Sequence, residues 1–377
     1  MVRRVMMIAG EASGDLHGAG VVRELKRRFP DVDVYGVGGD GMRGAGMETL
    51  YHVSQLAFMG FAEVLGHLGF LRKVERTLER SLDLRPPDVV VLIDYPGFNL
   101  RFARKARRRG LRVLYYIGPQ IWAWRSGRVR KMRAAVDSVK VVFPFEEEMY
   151  RRAGMDVEFV GHPLVESIGE QPSREAFLAS QHLRPGTKLL ALLPGSRKQE
   201  IRAVLPVMAG AAERLRKELG LQVALGLAPT LDSAAVRTVL PPGAEVRLVE
   251  GGTRALMRHA DAAIVTSGTA TLETAWFGTP MVVVYRTSPL TYLLGRLLVR
   301  LKNIGLVNIV AGERIVPELI QGRMTEENIV RALRPMLADP RTAASVRERL
   351  GIIRGRLGTP GAAARVVDGI ERLAGAA

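Results

Sequence analysis

At 377 residues the chain is too long for one ordinary domain, and its 47% hydrophobic content can fill the cores of two. A formal charge of +17 favours anionic partners, whether nucleic acid, an anionic membrane face or phosphorylated substrates, without choosing among them. The absence of Cys excludes a disulfide framework, a thiolate metal site and a thiol nucleophile, and fits a reducing compartment.

The chain opens MVRRVMMIAGEASGD, basic and then apolar. The apolar run is short and enters a Gly/Ser loop in place of a small-residue cleavage site, so a first strand is expected there and not an export signal. Short, nearly continuous apolar runs then alternate with helical patterns, as in a parallel sheet covered on both faces. In the first half the predicted strands are Val5–Ala9, Val32–Val37, Val89–Ile93, Val113–Ile117, Val139–Phe143 and Val157–Val160. After Gly161-His162-Pro163 the rhythm restarts with Leu189–Leu193, Val223–Leu227, Glu245–Val249, Ala262–Val265 and Met281–Val284. From Thr325 onward only helical patterns remain, over Asn328–Leu337, Ala344–Leu357 and Ala362–Leu373. Two doubly wound α/β units in tandem are the simplest reading, with a boundary near residue 165. No run approaches the ~18 apolar residues of a membrane-spanning helix, so any membrane contact is expected to be peripheral.

Ligands of doubly wound sheets sit beyond the carboxyl ends of the strands, where strand order reverses. Two such units facing across a cleft would place the site among the loops that follow the strands. After the first strand, Gly10-Glu11-Ala12-Ser13-Gly14-Asp15 offers Glu11 and Ser13 as candidate sugar contacts, with Asp15 readable as a helix cap. Gly36-Val37-Gly38-Gly39-Asp40-Gly41 fits G-x-G-x-x-G, but it follows the second strand, and Gln55–Gly60 contains no acid to hold a ribose. No nicotinamide or flavin cofactor is therefore expected, and no phosphate loop of the ATPase type is present. Asp31-Val32-Asp33 has the form of a metal-binding D-x-D but enters a strand at the end away from the expected site, where a solvated turn is the better reading. The six His are scattered without metal-ligand spacing, so no metal site is expected.

Apolar residues at 61, 64, 65, 68, 71, 74, 78 and 82 form a helical stripe, the usual signature of a face turned to a core. Its beginning is Gly-broken, rich in large apolar groups and followed by Arg72-Lys73, which suits shallow insertion at a lipid interface. Met59, Phe61, Val64, Leu65, Leu68, Phe70 and Leu71 are the candidate membrane or acyl-chain patch. Ile93-Asp94-Tyr95-Pro96-Gly97-Phe98-Asn99 then puts an Asp at the carboxyl end of a strand, suited to general-base work if its surroundings raise its pKa, or else to capping the next helix. From Arg101 to Arg133 there are twelve Lys/Arg and no acid, a block that can hold an anionic bilayer or simply form a solvated face.

In the second half, Leu193-Pro194-Gly195-Ser196-Arg197 follows a strand and enters a helix, so a small-residue turn delivers a fixed cation beside backbone donors, an arrangement suited to phosphate. Thr266-Ser267-Gly268-Thr269-Ala270-Thr271-Leu272-Glu273 opens another helix with small and hydroxyl residues. Its free N–H groups and positive dipole end suit a diphosphate, and Glu273, one turn along, suits two ribose hydroxyls. The alternatives are an ordinary turn and an ordinary capped helix.

Together GEASGD at 10–15, MGFAEVLGHL at 59–68, IDYPGFN at 93–99, IGPQIWAWR at 117–125, FPFE at 143–146, GHP at 161–163, LPGSR at 193–197, SGTATLE at 267–273 and VNIVAGERIVPELIQ at 307–321 resemble the lipid-A-disaccharide synthase family over nearly the whole chain. The resemblance implies a GT-B fold: residues 1–165 as an acceptor- and membrane-binding domain, 166–345 as a UDP-sugar-binding domain, and helices in 346–377 that cross back to the first. It implies transfer from UDP-2,3-diacylglucosamine to 2,3-diacylglucosamine 1-phosphate with inversion, without cofactor or metal, at the cytoplasmic face of the inner membrane. It further implies Asp94 as the base, and Gly195, Ser196, Arg197, Ser267, Gly268, Thr269, Ala270, Glu273, Asn308 and Gln321 around UDP. Glu11 also matches a position important in the family. Gly69 and Phe70 depart from the family's apolar pattern in the interfacial patch. Another UDP-sugar enzyme of this fold, such as a UDP-N-acetylglucosamine transferase or 2-epimerase, is the neighbouring alternative. A nucleic-acid-binding protein is the distant one, for which no aromatic RNP-like strand or recognition-helix motif speaks.

Overall fold

The computed structural model describes residues 2–56, 68–119, 127–229, 231–288, 292 and 303–376, and for Leu68, Arg128 and Lys131 the backbone alone. The chain divides into two compact units, unit 1 comprising Met1–Glu166 with Leu357–Ala377 and unit 2 comprising Ser167–Arg356.

Unit 1 is built on strands β1 (Arg4–Ala9), β2 (Asp33–Gly38), β3 (Glu48–His52), β4 (Val89–Ile93), β5 (Arg112–Tyr116), β6 (Ser138–Val141) and β7 (Val157–Phe159). All pair in parallel, in the order β3-β2-β1-β4-β5-β6-β7. Helices cover both faces, which is why the inner strands read as unbroken apolar runs: every residue of β4 is fully buried. The order reverses between β1 and β4, so this unit's ligand crevice lies beyond those two carboxyl ends.

Unit 2 repeats the plan with β8 (Leu189–Leu193), β9 (Gln222–Leu227), β10 (Arg247–Glu250), β11 (Ala262–Thr266), β12 (Met281–Tyr285) and β13 (Glu318–Ile320), all parallel. Their order, β10-β9-β8-β11-β12-β13, reverses between β8 and β11. The edge strands β3 and β13 were not expected from the sequence. Both are short and largely half-exposed, so neither carries the buried apolar run that marks the inner strands.

The helix Leu68–Leu84 turns Leu71, Val74, Leu78 and Leu82 into the core of unit 1. Leu71, expected in the lipid-facing patch, is only 7% exposed and is a core residue, because the i, i+3, i+7 stripe it begins is the one the sheet covers. Phe70 is half-buried, edge-on to Tyr51 with ring centroids 6.0 Å apart. Met59, Phe61, Val64 and Leu65 lie outside the described residues, as does the side chain of Leu68.

From Leu357 the chain returns to unit 1. The His162 amide donates to the Leu357 carbonyl at 2.8 Å, and the Glu166 carboxylate caps the helix Ala362–Gly375 by accepting from the amides of Gly361 and Ala362. Lys140, fully buried in β6, pairs with Glu158, which also accepts from Arg372 of that helix. Residues 346–356, grouped in the sequence reading with this returning segment, pack within unit 2.

The G-x-G-x-x-G look-alike has a structural explanation. The Asp15 carboxylate accepts from the amides of Gly39, Gly41 and Met42 at 2.7, 2.9 and 2.9 Å. A Cβ on Gly39 would sit 2.6 Å from that carboxylate, so glycine is required by an internal anion, which occupies the amides a pyrophosphate would need. Asp33, the second acid of D-x-D, begins β2 and pairs with Arg4 and Arg85 at 2.8 and 3.0 Å, at the amino end of the sheet.

Candidate active site

In unit 1, Ala9 and Ile93 are paired neighbours at the ends of β1 and β4. The loops that follow, beginning Gly10-Glu11 and Asp94-Tyr95, therefore emerge side by side at the point of strand reversal. Glu11 and Ser13 are exposed there, Glu11 at the cap of the helix Ala12–Arg28 and Ser13 in its first turn. Asp94 and Tyr95 both adopt left-handed backbone, with φ of 47° and 48°. Two consecutive non-glycine residues in that region are costly and persist only where surrounding contacts over-determine them. Asp94 is half-buried. Burial first, and the Glu11 charge second, push its carboxyl from the ordinary 3.8 up to about 6.

The contacts that impose this turn are specific. The Asp94 carbonyl accepts from Tyr115 Oη at 2.5 Å and from Asn99 Nδ2 at 2.8 Å. The same Asn99 amide lies 3.2 Å from the Ile93 carbonyl and 3.4 Å from that of Ile8, so one buried side chain gathers the ends of both strands. The Tyr95 ring passes over Gly10, where a Cβ would fall 2.1 Å from a ring carbon, and its hydroxyl donates to the Leu56 carbonyl at 3.2 Å. Gly10 is therefore the one residue type that lets the Tyr95 ring close over the end of β1.

In unit 2 the paired strand ends are Leu193 of β8 and Val265 of β11. The turn Pro194–Arg197 and the loop Ser267-Gly268 thus also lie beside one another, at this unit's own reversal point. Gly195 holds φ of 99°, and a Cβ there would come within 2.7 Å of Glu200. Arg197 caps the helix Lys198–Leu219, and its guanidinium, half-exposed, donates to Glu200 at 3.1 Å. Gly268, with φ of 154°, caps the helix Thr269–Trp276. The amides of Thr269 and Ala270 are the first two of that helix and have no intrahelical acceptor by geometry, as is true of Lys198 and Gln199 in the other. Two helix N-termini at adjacent strand ends give a concentration of donors and positive dipole suited to a diphosphate.

Two residues expected at this grip have hydrogen-bond partners within unit 2. Ser267 is placed in it, but its amide donates to the Val284 carbonyl and its hydroxyl to that of Ile304, so it has no donor left for an anion. Asn308 is fully buried and saturated: Nδ2 donates to Val316 and Glu318, and Oδ1 accepts from the amides of Ile315 and Val316. It holds Glu318, whose carboxylate accepts from the amides of Ile304 and Gly305 and so fixes the segment that Ser267 grips. Gln321, with φ of 53°, lies just beyond β13, and its Nε2 is buried without a partner among the described residues, leaving a donor for a ligand.

Glu273 stands in the helix Thr269–Trp276, where Arg254 donates to its Oε1 at 2.9 Å. Arg254 also binds Ser167, so the carboxylate is aimed by a guanidinium that is itself anchored. Arg254, Asn99 and Tyr115 were not singled out from the sequence. Arg254 and Tyr115 reach partners about 20 residues away, and Asn99, though it closes the quoted Ile93–Asn99 motif, joins Asp94 to Ile8 across the sheet, so no local spacing encodes these contacts.

The basic block is partly neutralised within unit 1. Lys105 pairs with Glu75 and Glu79, Arg109 with Asp83, and Arg107 and Arg112 with Asp137. Glu75, Glu79 and Asp83 recur every four residues on Leu68–Leu84, the face turned to these cations. Among the described residues no helix is long and apolar enough to cross a membrane, and no cluster of three His, Cys, Asp or Glu forms a potential metal site.

Residues 5–352 match the family described as lipid-A-disaccharide synthetase. The chain is 45% identical over 374 residues to the lipid-A-disaccharide synthase of Geobacter sulfurreducens, covering 99% of this chain and 97% of that one. It is 46% identical over 366 residues to that of Syntrophus aciditrophicus, covering 96% and 95%. Among solved structures, a Neisseria meningitidis UDP-GlcNAc 2-epimerase bound to UDP-GlcNAc superposes with a TM-score of 0.67 at 13% identity, over 98% of this chain and 100% of that one. The calicheamicin glycosyltransferase CalG4 gives 0.63 at 19%, over 99% and 98%. At these identities the structures establish the fold, which is GT-B.

Proposed function

This chain belongs to the lipid-A-disaccharide synthase family, a family of glycosyltransferases, and on that basis we propose that Asp94 is the base with which it joins UDP-2,3-diacylglucosamine to 2,3-diacylglucosamine 1-phosphate. The observation that carries this reading is the Asp94 carboxyl itself: at a strand reversal, half-buried, and raised to about 6. A carboxylate with that value is ionised at neutral pH yet basic enough to accept a proton in the transition state.

Asp94 takes the proton of the acceptor 6-hydroxyl as that oxygen bonds to the anomeric carbon, and the bond to UDP breaks with its electron pair leaving on the diphosphate. One displacement inverts the centre and gives the β-1,6-linked disaccharide 1-phosphate. Unit 2 supplies the stabilisation of the leaving group. The amides opening the helices after Gly268 and Arg197, together with the Arg197 guanidinium, meet the developing negative charge. Gly195, Ser196, Gly268, Thr269 and Ala270 shape this grip, Glu273 receives the ribose hydroxyls, and Gln321 supplies a further donor. Glu11 and Ser13 meet the sugar of the acceptor. No cofactor or metal takes part in this scheme.

The acylated substrates place the reaction at a lipid surface, with the protein peripheral on the cytoplasmic face of the inner membrane. The apolar stretch around Met59–Leu68 and the Lys/Arg-rich block Arg101–Arg133 in the sequence support this. The test is incubation of purified protein with both acylated sugars and a chelator, with products identified by mass. Disaccharide 1-phosphate and UDP are expected. Epimerised UDP-sugar without disaccharide would transfer the reading to the 2-epimerases.

A further inference from the structure

Tyr115 and Asn99 lie outside the contacts with substrate assigned above, yet they converge on the residue proposed to do the chemistry. The Asp94 carbonyl has two lone pairs and receives two donors, Tyr115 Oη at 2.5 Å and Asn99 Nδ2 at 2.8 Å. Tyr115 is fully buried on β5, and Asn99 is fully buried in the first turn of the helix Pro96–Arg108. The three carbonyls facing Asn99 Nδ2, those of Ile8, Ile93 and Asp94, are acceptors only, which fixes the orientation of that amide. The peptide after Asp94 is thereby locked in its left-handed turn.

From this convergence the geometry points to Tyr115 and Asn99 as positioning residues for the transfer reaction, a two-donor clamp on the Asp94 carbonyl that sets where the Asp94 carboxylate points. The inference rests on the reading of Asp94 as the base. Without the clamp, Asp94 and Tyr95 can relax to ordinary right-handed or extended backbone, which swings the Cα–Cβ bond of Asp94 away from its present direction. A displacement on the order of 1 Å of a reacting group lowers rate by roughly 100-fold. Substrate binding, which depends on other groups, is spared. In that relaxed state the carboxylate gains water and is less raised by burial.

The test is Tyr115→Phe, which removes one hydroxyl and keeps the ring in the core, measured beside Asp94→Asn. For Tyr115→Phe, kcat is expected to fall roughly 10- to 100-fold with KM for both sugars within about twofold of wild type. The acid limb of its kcat/KM profile should move to lower pH. Asn99→Ser, which keeps one donor at reduced reach, should give the same split of kcat from KM, and the Kd for UDP measures whether either variant has lost its fold. Normal kcat and an unmoved acid limb in a folded Tyr115→Phe, with Asp94→Asn inactive, overturn the clamp and leave the base intact. Parallel loss of kcat, both KM values and UDP binding would reduce Tyr115 to a core residue and also overturn it. Full activity in Asp94→Asn removes the base reading itself.

Discussion

Glu11 follows β1 and Asp94 follows β4, and because those strands are neighbours the charge of the first raises the carboxyl of the second beyond what burial alone does. The rate should therefore fall tenfold per pH unit below about pH 6 in kcat/KM, as Asp94 takes up the proton that blocks it. Glu11→Gln should move that limb to lower pH, since it removes one of the two causes. A limb that stays put in Glu11→Gln would separate the two carboxylates. Asp94→Ala should lower kcat by roughly 10²–10⁴ with UDP binding near normal.

The same shift has a sign for stability. The folded chain binds the Asp94 proton more tightly than the unfolded chain does, so this group's favourable contribution is complete below the ordinary value of 3.8 and is lost as pH rises through about 6. Asp94→Asn, which cannot ionise, should melt above wild type at pH 8, with the gap closing at pH 4. Calorimetry at the two pH values checks this, and an unchanged gap would argue against a raised carboxyl.

Arg254 anchors Glu273 and is exposed enough to be changed without opening the core. Arg254→Met should weaken UDP binding roughly tenfold, the cost of freeing one charge-assisted contact, while kcat at saturating donor changes less. Titration calorimetry with UDP reads the first effect directly. Equal affinity in the variant would mean Glu273 needs no such guide, or does not meet the ribose.

Asn308 serves the fold before it serves the ligand. Asn308→Ala leaves the amides of Ile315 and Val316 without their buried acceptor and removes one of the two donors to Glu318 Oε1, and should cost about 3 kcal/mol in urea unfolding. A variant of normal stability with UDP binding abolished would restore Asn308 to the nucleotide.

Leu71 separates core from membrane. Because it is buried beside Val74 and Leu78, Leu71→Ala should destabilise by about 2–5 kcal/mol and leave binding to anionic vesicles unchanged. Loss of vesicle binding at normal stability would put the lipid face further along this helix than the packing allows.

The inner strands, the two-unit plan and the loops that carry Asp94, Arg197 and Glu273 were legible in the sequence, because a buried parallel strand must be continuously apolar and a strand–helix loop must carry small or capping residues. Those are local requirements, written in consecutive residues. Tertiary structure alone decided which strands are neighbours, and so that Glu11 raises Asp94, that Arg254 aims Glu273, that Tyr115 and Asn99 meet on one carbonyl, and that Asp15 fills a glycine loop shaped like a nucleotide site. Ser267 and Asn308 show the same divide: their types suit a ligand, and only the partners brought to them by folding reveal that their hydrogen bonds are already made. Electrostatics and hydrogen bonding act through space over a few ångströms, and the chain order of the contributing residues carries no record of that distance.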